Sequence, residues 1–598
     1  MADEQKKIIP IDYTHRDYES IRKDLRGVAE RLYPNTFQDF SEASFGALML
    51  DAIAYVGDQL SFYLDYNVNE TFLDTSYEYD NVLRHGRALG YKYTGRPSTY
   101  GQAALFIKVP ASTTGLGPDT NYIPILKQGS RFSSDSGLGF ILMENVDFSD
   151  PLNMVVVAST NSSTGAPTSF AIKAYGNVVS GVFGREEITV GAYQSFFSAQ
   201  LGDPNISEVL SVVDAEGNEY FEVDYMAQDI VYKKTPNNNY KNDNVPSVLR
   251  PKLVSRKFTV IQDRTRALLQ FGSGDSAFAD VAAEPQNVAA EIFGKSYVTN
   301  TTFDPTQVFK NKNFGVVPQN TTLTVIYRST NPTNSNISVG SLTTVASANM
   351  RFQNEETLTT SKKSDVVASL EVANEVPITG DTSNATTSDI KRRIYDTFPT
   401  QNRAVTQADY ENIAYRMPAQ LGSISRVSVQ RDPSSAKRNL NMYIISQNKF
   451  KKFTTTNNTI KNNLKIWLNN YRMLNDTVDI LDAFIINLGV EFIITPAIGE
   501  DKYLILDRAI VAIQAYFQNE YYIGESLSIS DIYSELKKVT GVLDVTNVKI
   551  VNKTGTQYAS TQFEVDSNIS PDGSSLICPN NCVFEIKFGA TDIRGKVR

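Results

Sequence analysis

The residues able to do chemistry are few and scattered. The 598-residue chain has two histidines and two cysteines, which leaves little for His-based general acid–base work or a His-rich metal centre. His85 lies beside Leu83 and Leu89 and reads as a structural histidine, while His15 sits inside Thr14-His-Arg-Asp17, a sequence of capping-box form at the surface. Cys578 and Cys582 stand in the loop-like CPNNC. A metal would need two more ligands, which neither histidine is spaced to supply, so two ordinary thiols made in a reducing cytoplasm are expected. No Walker-type loop, GxSxG elbow or HExxH occurs. Gly272-Ser-Gly274 follows the apolar run Leu268–Phe271 with no glycine-anchored helix start behind it, the signature of a tight turn rather than a phosphate cradle. A glycosidase pair requires two carboxyls held about 5–10 Å apart, which sequence cannot supply. Adjacent Glu186 and Glu187, on a strand-like segment, point to opposite faces and make poor partners. No catalytic, cofactor-binding or metal-binding residue is assigned.

Charge narrows the field further. The net charge is −9, whereas a phosphate-binding surface needs concentrated Lys and Arg, so no nucleic-acid partner is expected. The best basic run, Lys391-Arg392-Arg393, is flanked by Asp389 and Asp396 and reads as a solvated helix face. Residues 1–7 lack the apolar core of a signal peptide. The longest greasy stretch, Ala483–Ala497, is broken by Asn487 and Glu491, so no membrane span is expected either. What remains is 41% hydrophobic with 31 Phe and 31 Tyr, enough for several cores and large flat contacts.

The elements that could position such contacts divide the chain. Residues 1–97 read as a helical region. Tyr18, Ile21, Leu25, Val28 and Leu32 recur at steps of three and four, a narrow apolar seam suited to a helix docking into a bundle. The seam fits an interface with other chains, and equally a helix packed on its own domain. A second helix, from near Ser41 to about Asn69, carries Phe45, Leu48, Met49, Ala52, Ile53, Val56, Leu60, Tyr63 and Leu64 on a wide face expected to be buried against more than one neighbour. A third, after Thr75, turns Val82, Leu83 and Leu89 inward and ends at Gly90.

Residues 98–380 read as a β-rich middle, with strand-like runs at Ala104–Val109, Met154–Val157, Leu253–Val260 and Thr322–Tyr327. The polar stretches 159–168, 236–246 and 330–336 separate them as surface loops. Residues 381–550 alternate helices and strands. Ser388 is placed to cap a helix with Ile390, Ile394 and Phe398, and Thr406-Gln-Ala-Asp409 is a capping box before Tyr410, Ile413 and Met417. A further helix carries Ile460, Leu464, Trp467 and Tyr471. Phe484, Ile486, Leu488, Val490, Phe492 and Ile494 alternate as one apolar strand face that must be covered, either by another copy or by the helix carrying Ile505, Ala509 and Ile513. Residues 551–598 form a β tail ending in a strand with Val583, Phe584, Ile586 and Phe588. The fold class is multidomain α+β.

Three separated segments resemble the baseplate J-like family, which includes wedge subunits of contractile-tailed bacteriophages. They are Asp39–Leu48 with Glu70-Thr-Phe-Leu-Asp-Thr75 and Leu83–Gly90; Gln270–Asp275 with Thr322–Arg328; and Arg403–Ala414 with Gly524–Tyr533 and Thr540–Val542. The resemblance implies a structural subunit with no cofactor and no catalytic residues. It would pair with a second copy within a wedge, and six wedges would close a ring around the hub. Its amino-terminal helices would bind other wedge proteins near the sheath-initiating and hub-proximal components, in a virion tail baseplate assembled in the host cytoplasm. The other readings are a receptor-binding or fibre-type tail protein, for which the middle is β-rich enough, and a virion-associated hydrolase. Purified protein incubated with peptidoglycan or host polysaccharides should release no more product than a denatured control; turnover abolished by changing one carboxylate would establish the hydrolase instead.

Overall fold

The computed structural model describes residues 17–32, 44–93, 95–114, 117–237, 247–263, 266–274, 314–330, 334–353, 355–382, 385–433, 439–499, 501–518 and 521–598. Residues 14–16 of the first capping box with His15, the 39–43 part of the first family segment, and residues 238–246 and 331–333 of two polar loops lie outside them. The chain forms two compact units, Met1–Tyr91 with Thr386–Tyr395, and Lys92–Ala385 with Asp396–Arg598.

The described residues of the first unit include helices α1 (Tyr18–Leu32), α2 (Phe45–Thr71) and α3 (Tyr79–Ala88), together with the first part of the helix Thr387–Thr400. Within the described residues α2 starts at Phe45 rather than near Ser41, because the Ser44 side chain accepts the Ala47 N–H at 3.1 Å and satisfies one of the free donors of the first turn. Val82 and Leu83 of α3 are buried and Gly90 follows the helix at φ +88°, the left-handed conformation of a C-terminal stop. Leu89, expected inward, is exposed.

The second unit opens with two seven-stranded sheets. In the first, strand Tyr100–Pro110 pairs antiparallel with the long strand Pro167–Ser180, and Leu105, Ile107, Phe132, Phe140, Leu142 and Val178 form the core beneath helix α4 (Thr360–Ala368). In the second, Thr321–Ser329 lies between Val182–Val190 and Ile206–Val213, over a core of Val212, Tyr220, Phe258, Leu269, Phe271 and Leu323. The run Leu253–Val260 is not one strand. Ser247–Leu253 and Lys257–Gln262 are separate because the backbone between them bonds sideways, Val254 N–H to Asp229 and the Ser255 and Arg256 carbonyls to the N–H groups of Val316 and Phe221. Glycine at 272 has a steric reason: a Cβ there would lie 1.7 Å from the Phe314 carbonyl oxygen.

Helix α5 (Thr387–Thr400) is capped by Thr386, not Ser388. The Thr386 hydroxyl lies three residues before Asp389 and accepts its N–H at 3.2 Å, while the Asp389 carboxylate accepts the Thr386 N–H at 3.3 Å. Ile390 and Ile394 are buried on it and Phe398 is exposed. Helix α6 (Gln407–Tyr415) has the Thr406/Asp409 capping box that its sequence announces, and helix α7 (Asn458–Leu468) buries Ile460 and Leu464. Their core with Met442 and Ile444 also takes in Tyr100, Ile141 and Val179 of the first sheet. Strand Phe484–Pro496 is central in the last large sheet, antiparallel to Val542–Asn552 and parallel to Cys582–Glu585 and Ile593–Val597. Its alternating face from Ile486 to Ile494 is buried, leaving Phe484 exposed. The cover comes from this chain's own helices α8 (Lys502–Tyr516) and α9 (Ile529–Lys538), through Ile505, Ala509, Ile513, Ile532 and Leu536. The segment from Val583 is not the last strand: the Asp592 carboxylate accepts the Phe588 N–H at 2.8 Å, turning the chain before Ile593–Val597.

One buried side chain ties the two seven-stranded sheets together. Arg328, 2% exposed, donates to the Ser180 carbonyl and the Ser98 hydroxyl at 2.8 Å each and reaches the Glu208 carboxylate at 3.2 Å. Ser180 ends a strand of the first sheet, and Glu208 lies in a strand of the second. A planar guanidinium spreads five donors over a rigid fork that reaches these separated acceptors, whereas an ammonium offers three donors from a single nitrogen. Replacing Arg328 with Met should lower stability by about 2–4 kcal/mol, since it leaves a carbonyl and a carboxylate without their donor. The shift of the urea midpoint measures this, and Arg328→Lys should recover less than half.

Candidate protein interface

The dispersed chemical groups converge on nothing reactive. His85 Nε2 lies 2.8 Å from the Glu70 carbonyl oxygen, a structural contact between α3 and the end of α2. Burial pushes the Cys578 thiol up to about 12 and raises that of Cys582, which disfavours the thiolate that nucleophilic or metal chemistry requires. Lys391 donates to the Asp74 carbonyl at 2.8 Å, so part of the basic run holds helix α5 to the chain leaving α2. Among the described residues, no group of three or more His, Cys, Asp or Glu could hold a metal.

The feature that stands out is the surface of α2. At 1.5 Å per residue its 27 residues make a rod of about 40 Å. At about 100° per residue, Ala47, Ala54, Gly57 and Ser61 gather on one side, where α1 packs. Ile21 of α1 sits over Gly57, so close that a Cβ there would approach Ile21 Cδ1 to 3.3 Å. Arg22 pairs with Asp51 along the same side, Nε to Oδ1 at 2.5 Å. Phe45, Leu48, Met49, Val56, Leu60 and Tyr63 project from the opposite side, with Ile53 and Leu64 toward its edge, and every one is exposed, Phe45 by 73% and Leu64 by 65%. Tyr55, Phe62, Phe72 and Tyr77 extend the exposed surface. The described residues do not supply the neighbours expected to bury this face: only Ala47, Ala54 and Glu70 of α2 are buried. A helix apolar on this scale is ordinarily covered. Burying a side chain of this size stabilises by about 1.5–3 kcal/mol, so five such residues left in water forgo on the order of 10 kcal/mol. No helix among the described residues is long and apolar enough to cross a membrane.

The seam on α1 divides. Tyr18, Ile21 and Leu25 are half-buried, whereas Val28 and Leu32 are 42% and 50% exposed. The stripe of small residues that receives α1 was not singled out in the sequence, although Ala47, Ala54 and Ser61 at steps of seven carry that signal.

Glu70 fixes the far end of α2. Its carboxylate, 9% exposed, accepts the Tyr77 N–H at 2.7 Å, the Glu78 N–H at 3.2 Å and the Asn81 amide at 2.9 Å, so it closes the turn into α3. The Asn81 hydrogen bond is the main cause holding its carboxyl below the ordinary glutamate value, with the two backbone N–H groups and the Lys391 charge acting in the same direction.

Residues 17–88, which span α1 to α3, match the family described as bacteriophage baseplate protein, N-terminal domain. Over these helices the chain is similar to phage baseplate proteins. That match falls on the first of the three segments whose residues resemble baseplate proteins. Two solved assemblies also align. The anti-feeding prophage baseplate, determined by cryo-electron microscopy and 6-fold symmetrised, does so at 9% identity over 95% of this chain and 90% of that one, with a TM-score of 0.26. The TssK-TssF-TssG baseplate subcomplex of a type VI secretion system does so at 8% identity over 73% and 96%, with a TM-score of 0.24. TM-scores this low settle neither topology nor role. No curated protein matches the chain.

Because Glu70 has a depressed pKa in the folded chain, its stabilisation is complete above the ordinary glutamate value of 4.5 and is lost as pH falls through the lower folded value. Glu70→Ala should cost about 1.5–3 kcal/mol and speed amide exchange in α3. Glu70→Gln should remove this component of the acid sensitivity. Unchanged exchange in α3 for both variants would contradict the role assigned to the carboxylate.

Proposed function

We propose that the chain is a structural wedge subunit of a contractile-tail baseplate, which works by holding partners rather than by catalysis. The observation that carries the reading is the bulky apolar face of α2, left exposed among the described residues, inside the segment that matches the baseplate N-terminal domain family. Other wedge proteins cover that face by forming a helical bundle with α1 and α2, and Val28 and Leu32 extend the contact along α1. The seam residues Tyr18, Ile21 and Leu25 serve partly to hold α1 on α2, since Ile21 seats over Gly57, and partly to line the bundle. Two copies pair within a wedge, and six wedges close a ring around the tail hub near the sheath-initiating and hub-proximal proteins. The ring is part of the virion and is assembled in the host cytoplasm. The ordered family segments at 270–328 and 403–542 support this wider placement.

The apolar face of α2 tests the proposal without disturbing the fold. Ile53 and Leu60 are both more than half exposed, so Ile53→Asp with Leu60→Asp should leave the melting of the isolated chain unchanged. Supplied in place of the wild type during particle assembly, the double variant should lower the yield of complete baseplates at least tenfold by electron microscopy. A folded variant that assembles at the wild-type level would remove the α2 bundle from the reading.

A further inference from the structure

A second unprotected surface lies in the second unit and is independent of α2. Strand Met154–Thr160 is hydrogen-bonded on one side only, to Pro167–Ser180, and is an offshoot of the first seven-stranded sheet. All seven of its residues are exposed. Met154, Val155, Val156 and Val157 therefore meet solvent on both faces of the strand, and among the described residues no strand lies beside its outer row of N–H and C=O groups. Soluble proteins normally blunt such an edge with Lys, Glu or Pro along it, because an open apolar edge is a template for another strand. None of these devices is present along it. From Leu152 to Ile172 there is no charged residue, although the chain is 21% charged and a run of this length would ordinarily hold about four.

That neutrality identifies the occupant. When a strand pairs antiparallel with its own copy across a twofold axis, each side chain comes beside its twin or beside its mirror position. A charge on the axis would then face its own copy, and a run of one sign would set like charges opposite one another, which is destabilising. An edge meeting an acidic or basic partner would instead carry the complementary sign. We propose that Met154–Thr160 pairs with the same strand of a second copy of this chain, joining two sheets edge to edge. Centring the axis on Val156 sets Val155 against Val157 and Met154 against Ala158, so the whole apolar run matches itself. The irregular register at Ser159 limits the regular edge to this stretch. The strand spans only about 23 Å, so its contact is weak alone and acts with other contacts in an assembly.

The test is a charge swap at the predicted axis, read by sedimentation velocity of the full chain over a concentration series. Val156 is half exposed, so Val156→Glu and Val156→Lys should each keep the wild-type circular dichroism and melting. Wild type should show a concentration-dependent dimer. Each variant alone should weaken that dimer at least tenfold, and an equimolar mixture of the two should restore it, because Glu then faces Lys. Wild-type chain that shows no dimer, variants that dimerise as wild type does, or a mixture no stronger than either variant would each overturn the pairing. All three results leave the α2 reading untouched, since that face is unchanged in every sample.

Discussion

The constraint on which the rest depends is the unequal two-sidedness of α2. One side is built from Ala47, Ala54, Gly57 and Ser61, small enough to let α1 lie close; the other is built from Phe, Leu, Ile, Val, Met and Tyr that no described residue covers. A small-residue face satisfied inside the molecule and a bulky face left over is the arrangement of a subunit whose core is completed by association. Glu70 then decides where the helix stops. By accepting two backbone N–H groups and an amide it fixes the path into α3, and the uncovered face is presented as a rod rather than folded back on itself.

The second unit follows a different logic, with its large sheets satisfied internally. The strand face from Ile486 to Ile494 is sealed by α8 and α9, and the first two sheets are joined through Arg328. The exception is the neutral edge at Met154–Thr160, where the first sheet remains open.

Much of this was legible in the residues. The capping box Thr406/Asp409, the strand at Tyr100–Pro110 and the division into helical, β-rich and mixed regions follow from local periodicity and hydrogen-bonding chemistry, which sequence states directly. The errors have a common cause in non-local contacts. Leu253–Val260 looks like one strand, and it breaks because distant backbone at Asp229, Val316 and Phe221 bonds to its middle. Val583–Phe588 looks terminal, and it turns because Asp592 captures the Phe588 N–H. For the candidate interface, the apolar residues of α2 were visible, but not that the described residues leave them bare, since periodicity reveals that a face must be buried without revealing by what. The acidic residue of the first family segment gained its physical meaning only when the Glu70 carboxylate was seen to accept the N–H groups entering α3.

The central claim is that another chain covers the bulky side of α2. Hydroxyl-radical footprinting of the isolated protein and of the assembled particle tests it most directly, because Met49, Phe62 and Tyr63 are reactive side chains on the exposed surface of that helix. The account predicts rapid oxidation of all three in the isolated chain and at least tenfold protection in the particle, by mass spectrometry of the corresponding peptide. Equal oxidation rates in the two samples would contradict it.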